Sequence, residues 1–463
     1  MNKQRKFWIA LLLIGFLGQL AWVIENMYFN VFVYNTITTD VNVIARMVAL
    51  SAVTATVTTL IMGALSDKIA KRKLFICGGY IVWGISVMVF AGLNLDNISR
   101  FFPFASAVTL GGWLAVILDC IMTFFGSTGN DAAFNAWVTD STDKNNRARV
   151  EGFLATMPLI AMLVVFGLLD SLTQQGQWDR FFLITGASVS LGGLAGLFFV
   201  EEPQLERNDN VSCFSRIWYG FKPQVIKENR ELYSSLLCML VFSISTQIFM
   251  PYMIIYIQNY LGINDYSILL GVVLIASSVL SVLLSNTISK VGTDMFMLPG
   301  IGLLTVGLIC MFFVRKPLPV AISAIVMMTG NLVVTAIINS LIRNYTPKDR
   351  AGQFQGIRMI FGVMLPMIIG PYIGAFLIKG SSQTYVELGE IRQVPTPGIW
   401  LAAAVFAGAI ILPYSLLNRQ KAAKPDTHRN LKTPFFEKTE KNKVLSEYPR
   451  PQMVRGSYLN LNG

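Results

Sequence analysis

An all-α membrane protein, with twelve transmembrane helices in two six-helix bundles, is the fold class this sequence predicts. Three observations predict it. The chain has 463 residues, of which 54% are hydrophobic and only 14% charged, and its mean hydropathy is +0.55; that excess of apolar over charged residues falls outside the range of water-soluble domains. Mainly apolar runs of roughly 18 or more residues, each able to cross about 30 Å of hydrocarbon as a helix, recur about twelve times. They fall into two sets of six with a polar stretch between them.

The runs centre near Leu20, Val57, Gly84, Ile121, Ala161, Ser190, Ser245, Val279, Leu304, Met328, Val363 and Phe406. The first, FWIALLLIGFLGQLAWVIENMYFNVFVY, is too long for the apolar core of a signal peptide and lacks a small-residue cleavage site, so it reads as a retained span. The first bundle takes residues 1–200. A polar linker, 201–231, comes next, with an interfacial helix expected around Phe214 to Phe221. The second bundle takes 232–417. Residues 418–463 form a polar, Lys-rich tail whose composition predicts disorder.

Lysine and arginine decide the orientation, because short cytoplasmic loops carry the excess. Lys3, Arg5 and Lys6 fall on the same side as Lys68, Lys71, Arg72 and Lys73, then Lys144, Arg147 and Arg149, the central loop, Arg343, Lys348, Arg350 and the tail. The expected protein is therefore multi-pass in the cell membrane, embedded in the lipid bilayer, with both termini cytoplasmic. The net charge of +11 results from this topology. Nucleic acid is not an expected partner, since the basic residues are scattered and no aromatic stacking platform accompanies them.

Five widely spaced cysteines and a single histidine, His428 in the tail, offer no metal-ligand spacing and no Ser-His-Asp apparatus. There is no phosphate-binding Walker loop either. The reading is a protein that works without covalent chemistry, not an enzyme, with no cofactor and no metal. A faint internal repeat supports two related halves: DKNNRARVEGFLATMP after the fourth span and PKDRAGQFQGIRMIFGVMLP after the tenth each run Arg, Ala, a later Gly, then a helix containing Met and Pro. Secondary transporters are built from such repeats.

Between the second and third spans stands GALSDKIAKRK, residues 63–73. It resembles the signature of the major facilitator superfamily in that loop, with Gly63, Asp67, Lys68, Lys71 and Arg72 matching and Ala70 in place of the usual Gly. The resemblance implies a cytoplasmic gate in which Gly63, Asp67, Lys68 and Arg72 help hold the halves together, a carboxylate pairing with a basic side chain or a helix N-terminus.

Charges near the bilayer centre cost roughly 2.5 to 3.5 kcal/mol each on insertion scales, so those retained are expected to face a polar cavity. The candidates are Glu25, Arg46, Asp119, Asp131 and Arg358. Asp119 and Asp131 would lie about 18 Å apart along one regular helix and roughly 120° apart around it, which predicts separate sites. Asp131 has Asn130 beside it and Asn135 one turn below. On the first span Gln19, Trp22, Asn26 and Asn30 share a stripe at helical spacing, with Glu25 about a quarter turn away. The plain structural account of these residues is a charge at a helix end and a polar seam between helices.

DAAFNAWVTDSTDK, residues 131–144, is similar to the end of the fourth span in the glycoside-pentoside-hexuronide cation symporters, a branch of the same superfamily. ARM at 45–47 and MGALSD at 62–67 look like that branch too. The resemblance implies that Asp131 and Phe134 sit at a sugar site, with Asn135 replacing a second aromatic. The positions of the branch's cation-binding aspartates are occupied here by Ala55 and Thr59, so a proton is expected rather than sodium, carried by Glu25 or Asp131 as protonatable groups in the transport path. Sugar rings offer apolar faces to stack on and hydroxyls that need amide or carboxylate partners. Trp22, Asn26, Asp131, Phe134, Asn135, Gln247 and Tyr252 are the expected substrate-binding residues, with Trp137 and Tyr256 as further aromatic candidates.

The last residues, SEYPRPQMVRGSYLNLNG, look like the opening of family-two glycoside hydrolases, which would fit a glycoside as cargo. The expectation is thus a secondary active transporter importing a glycoside or small oligosaccharide with protons by alternating access. The rivals are an exporter of amphipathic compounds, which would use a more apolar cavity, and a non-transporting membrane sensor.

Overall fold

The computed structural model describes residues 3–142, 147–202, 220–291, 293–347, 351–380, 384–387 and 390–422. Among them are twelve helices long and apolar enough to cross a membrane. Spans 1 to 6 are Gln4–Thr36, Val41–Ile69, Arg72–Gly92, Ala107–Asp140, Gly152–Gln174 and Trp178–Phe199. Spans 7 to 12 are Arg230–Tyr260, Tyr266–Leu284, Met295–Phe313, Pro317–Tyr345, Gly356–Lys379 and Gly398–Ala422. The expected interfacial helix and hydrolase-like tail lie largely or wholly outside the described residues. Met1–Leu417 form one compact unit and Asn418–Gly463 a second.

Span ends obey local chemistry. Asp40 caps span 2 by accepting the Asn42 amide at 3.0 Å, satisfying a donor that a helix start leaves free. Span 2 stops at Ala70, which holds the left-handed conformation (φ 55°, ψ 34°) and donates its amide back to Ser66 O at 3.0 Å. That conformation favours glycine, which is the residue the superfamily signature carries there. An antiparallel two-stranded hairpin, β1 (Thr384–Glu387) with β2 (Glu390–Gln393), comes after span 11 and is a local addition to an otherwise helical fold.

The helices pack where side chains vanish, as expected of spans that gain nothing hydrophobic by leaving lipid for one another. Spans 3 and 6 cross at Gly84 and Gly186, and a Cβ on Gly84 would collide with Gly186 O and Ser190 Oγ. Spans 3 and 4 meet at Gly79 and Gly129, and spans 9 and 10 at Gly307 and Gly330. Outward the surface is apolar: Leu168, Leu191, Phe198, Ile268, Val282, Phe313, Phe376 and Val405 stay exposed, the pattern of side chains meeting lipid. The chain is a multi-pass membrane protein.

Because the spans alternate direction, both ends of the described chain share one face, here the terminal face, with Ala70. The loops after spans 1, 7 and 11 share the opposite face. Polar contacts join the two bundles near that opposite face, and span 2 packs on span 11 as far as Leu60 against Gly356. Lys379 pairs with Asp40 at 3.3 Å, Tyr34 Oη donates to Gln393 O at 2.6 Å, and Tyr252 Oη lies 3.5 Å from Val41 O. Asp170 of span 5 is fully buried. Its Oδ1 accepts from Tyr28 of span 1 at 2.8 Å and from Tyr266 of span 8 at 2.6 Å, and its Oδ2 accepts from Gln174 at 2.6 Å. Tyr266 thereby bolts the second bundle to the first.

Candidate functional site

Among the described residues, five spans contain a π-helical turn, and two of those turns carry the acidic residues picked from the sequence. Ile24–Tyr28 holds Glu25 and Asn26, and Ser127–Phe134 holds Asp131. Wide turns of this kind are rare and recur at functional sites. Side-chain amides help accommodate the first: Asn26 Nδ2 donates to Trp22 O and Asn30 Nδ2 to Asn26 O, each at 2.8 Å.

The wide turn changes the phase of span 1. Gln19 and Trp22 are half-buried and Asn26 is exposed, whereas Asn30 is fully buried. The expected four-residue stripe therefore ends at Asn26, because the extra residue in the turn rotates the remainder of the span. Glu25, only 7% exposed, turns into the bundle. Its Oε1 accepts from Thr123 Oγ1 of span 4 at 2.7 Å and, weakly, from Ser51 Oγ of span 2 at 3.4 Å.

Asp131 is half-buried, accepting from Ser127 Oγ at 3.1 Å, and Asn135, exposed, donates to Asp131 O at 3.2 Å. Both Asp119 and Asp131 act electrostatically on Glu25. The second wide turn breaks the regular phase between Asp119 and Asp131, so their angular offset is no longer that of one regular helix. Trp22 packs on Trp83 at 4.9 Å between ring centroids. Trp22, Glu25, Asn26, Asp131 and Asn135 thus sit on two neighbouring helices of the first bundle.

Other expected binding residues are placed as packing. Phe134 is 2% exposed, lies against Gly15 and stacks on Trp137 at 5.9 Å; its ring has no open space to offer a sugar. Trp137 donates Nε1–H to Glu201 O at 2.9 Å. Tyr252 is fully buried and donates to Pro371 O at 2.8 Å, holding span 7 to span 11. The Cβ of Gln247 fills the same crossing, 2.6 Å from where a Cβ on Gly370 would stand. Of the other charged candidates, Arg46 lies over the Trp113 ring at 5.0 Å and Arg358 donates to Asn339 Oδ1 at 2.9 Å.

The gate motif is tied into the first bundle. The Arg72 side chain, 6% exposed, pairs with Asp67 at 2.6 Å and with Asp140 of span 4 at 3.1 Å, and Arg72 Nη1 donates to Ser66 Oγ at 2.6 Å. Gly63 faces Ala132 of span 4, and Lys68 is exposed. The motif thus clamps the start of span 3 to the end of span 4.

Sequence reasoning missed a cavity lined by methionines. It lies between the bundles, with walls from Met27 of span 1, Met162 and Phe166 of span 5, and residues of spans 7 to 10 and 12, including Trp400. Seven of its seventeen lining residues are methionines: Met27, Met162, Met250, Met253, Met311, Met327 and Met328. Its free volume of about 40 Å³ holds the centres of about three waters at roughly 10–15 Å³ each. A flexible, polarisable lining lets such a space reshape around different apolar groups. The signal available beforehand was only the high methionine count of 20.

Comparisons with known proteins agree with this architecture. Residues 7–235 and 235–459 match the Major Facilitator Superfamily. A multi-drug resistance efflux pump PmrA homolog of Lactococcus lactis subsp. lactis (strain IL1403) is 24% identical over 312 residues, 63% of this chain and 74% of that protein. Among solved structures, the nucleoside transporter NupG superimposes with a TM-score of 0.62 at 14% identity, covering 92% of this chain and 100% of that one. A bacterial homolog of the human lysosomal transporter Spinster, inward-facing and unoccupied, gives 0.63 at 15% identity, covering 90% and 98%. Twelve apolar helices, a buried acidic cluster in the first bundle and these matches identify the chain as a transporter belonging to the Major Facilitator Superfamily.

Proposed function

We propose that the chain is a proton-coupled carrier importing a glycoside or small oligosaccharide across the cell membrane by alternating access. One observation carries this reading: Glu25 and Asp131, with Trp22, Asn26 and Asn135, gather on spans 1 and 4 of an otherwise apolar bundle. Carboxylates and amides suit sugar hydroxyls, and the Trp22 ring suits a sugar face. Together Glu25 and Asp131 receive proton and cargo in the path. The positive-inside pattern supports a cytoplasmic terminal face, with the bolted opposite face external.

The methionine-lined cavity, together with the similarity to an efflux pump, favours a second reading: export of amphipathic compounds. Counterflow of labelled glycosides in proteoliposomes, run against drug-driven proton exchange, separates the two. Glycoside exchange in the wild type that is lost in Asp131→Asn supports the first reading. Full, pH-independent glycoside uptake by Asp131→Asn overturns the role given to that carboxylate.

A further inference from the structure

Asp119 has no place in the sugar site, yet it is 2% exposed in the middle of a transporter. It stands one helical turn before Thr123, the residue that donates to Glu25 Oε1, so the two carboxyl groups lie on facing surfaces of spans 1 and 4. Each leaves an oxygen, Glu25 Oε2 and Asp119 Oδ1, with neither exposed surface nor a hydrogen-bond partner. Both hydroxyl donors go to the same Glu25 oxygen, which leaves the second one free. Among the described residues neither carboxyl group is paired with a lysine or arginine.

Two acids buried together without a cation cannot both carry charge at tolerable cost, since an uncompensated buried charge costs several kcal/mol and like charges in a poor dielectric repel strongly. The remedy that needs the fewest ligands is a proton.

We propose that Glu25 and Asp119 form one proton-binding pair, holding a single proton between spans 1 and 4, and that this pair is the coupling site while Asp131 is left to the cargo. The coupling role rests on the carrier reading above; the pair itself does not. The pair titrates as a unit, so its protonation belongs to both residues jointly.

The test is infrared difference spectroscopy of the purified full chain in lipid, titrated with acid and then with sodium chloride at fixed pH. The expected result is a protonated-carboxyl C=O band that titrates reversibly. Glu25→Gln and Asp119→Asn, both close in shape to the native residue, should each alter that same band in frequency and amplitude, while Asp131→Asn keeps its frequency and amplitude and shifts only its midpoint. The pair is refuted if no such band exists, if only one of the two substitutions touches it, or if sodium displaces it at constant pH, which would mark a metal-cation site. A protein that shows the joint band but performs no glycoside counterflow keeps the pair and fails the cargo reading. Where counterflow is present, Asp119→Asn should retain it and lose accumulation driven by a pH gradient at least tenfold; accumulation at the wild-type level would remove Asp119 from coupling.

Discussion

Replacing Tyr266 by Phe removes one hydroxyl and, with it, the hydrogen bond by which span 8 holds Asp170 of span 5. The wild-type bond is 2.6 Å long and its acceptor is fully buried. Hydrogen bonds to charged groups contribute about 1.5–3 kcal/mol, and this one joins the two bundles. Tyr28 and Gln174 still donate to the carboxylate in the variant, so the substitution does not leave it bare. The loss therefore falls mainly on the closed state of the opposite face. At about 1.4 kcal/mol per tenfold, the equilibrium should move roughly 10- to 150-fold toward opening there. Double electron–electron resonance between spin labels at positions 104 and 318, exposed on the opposite face in the first and second bundles, reads the populations directly. Tyr28→Phe is the control, because Tyr28 and Asp170 belong to the same bundle and need not separate on opening. An unchanged distance distribution in Tyr266→Phe, or an equal shift in Tyr28→Phe, would refute the bolt.

Ala70→Gly should raise thermal stability, because it relieves a left-handed alanine at the end of span 2; the gain is at most about 1 kcal/mol once the extra freedom of glycine in the unfolded chain is counted, and a melting curve in detergent decides it. Gly84→Ala should do the reverse, forcing spans 3 and 6 apart where its Cβ meets Gly186 and Ser190 at a cost of roughly 1–3 kcal/mol; unchanged stability would show that the crossing gives way freely.

The spans were legible because hydrophobic runs of bilayer length need no tertiary knowledge. The gate loop was legible because Gly63, Asp67 and Arg72 keep a fixed spacing, and even the anomaly at Ala70 was visible as a missing glycine. The interior of the site was harder to read. Asn30 was assigned to the face of Trp22 by regular helix geometry, and a wide turn at Ile24–Tyr28 cancels that arithmetic. Such turns depend on how amides satisfy displaced carbonyls, which local propensity does not encode. Phe134 carried the right residue type for a sugar site, but its exposure depends on Gly15, more than a hundred positions away in the chain. Asp119 was visible as a charge, and what it faces was decided by span 1.

Each wide turn stores one surplus residue in a helix that is otherwise regular. Should such a turn tighten, all that lies beyond it would swing by about 100°. Spans 1 and 4 both hold this slack beside their acids, so tightening one turn would exchange which solvent a carboxyl group sees.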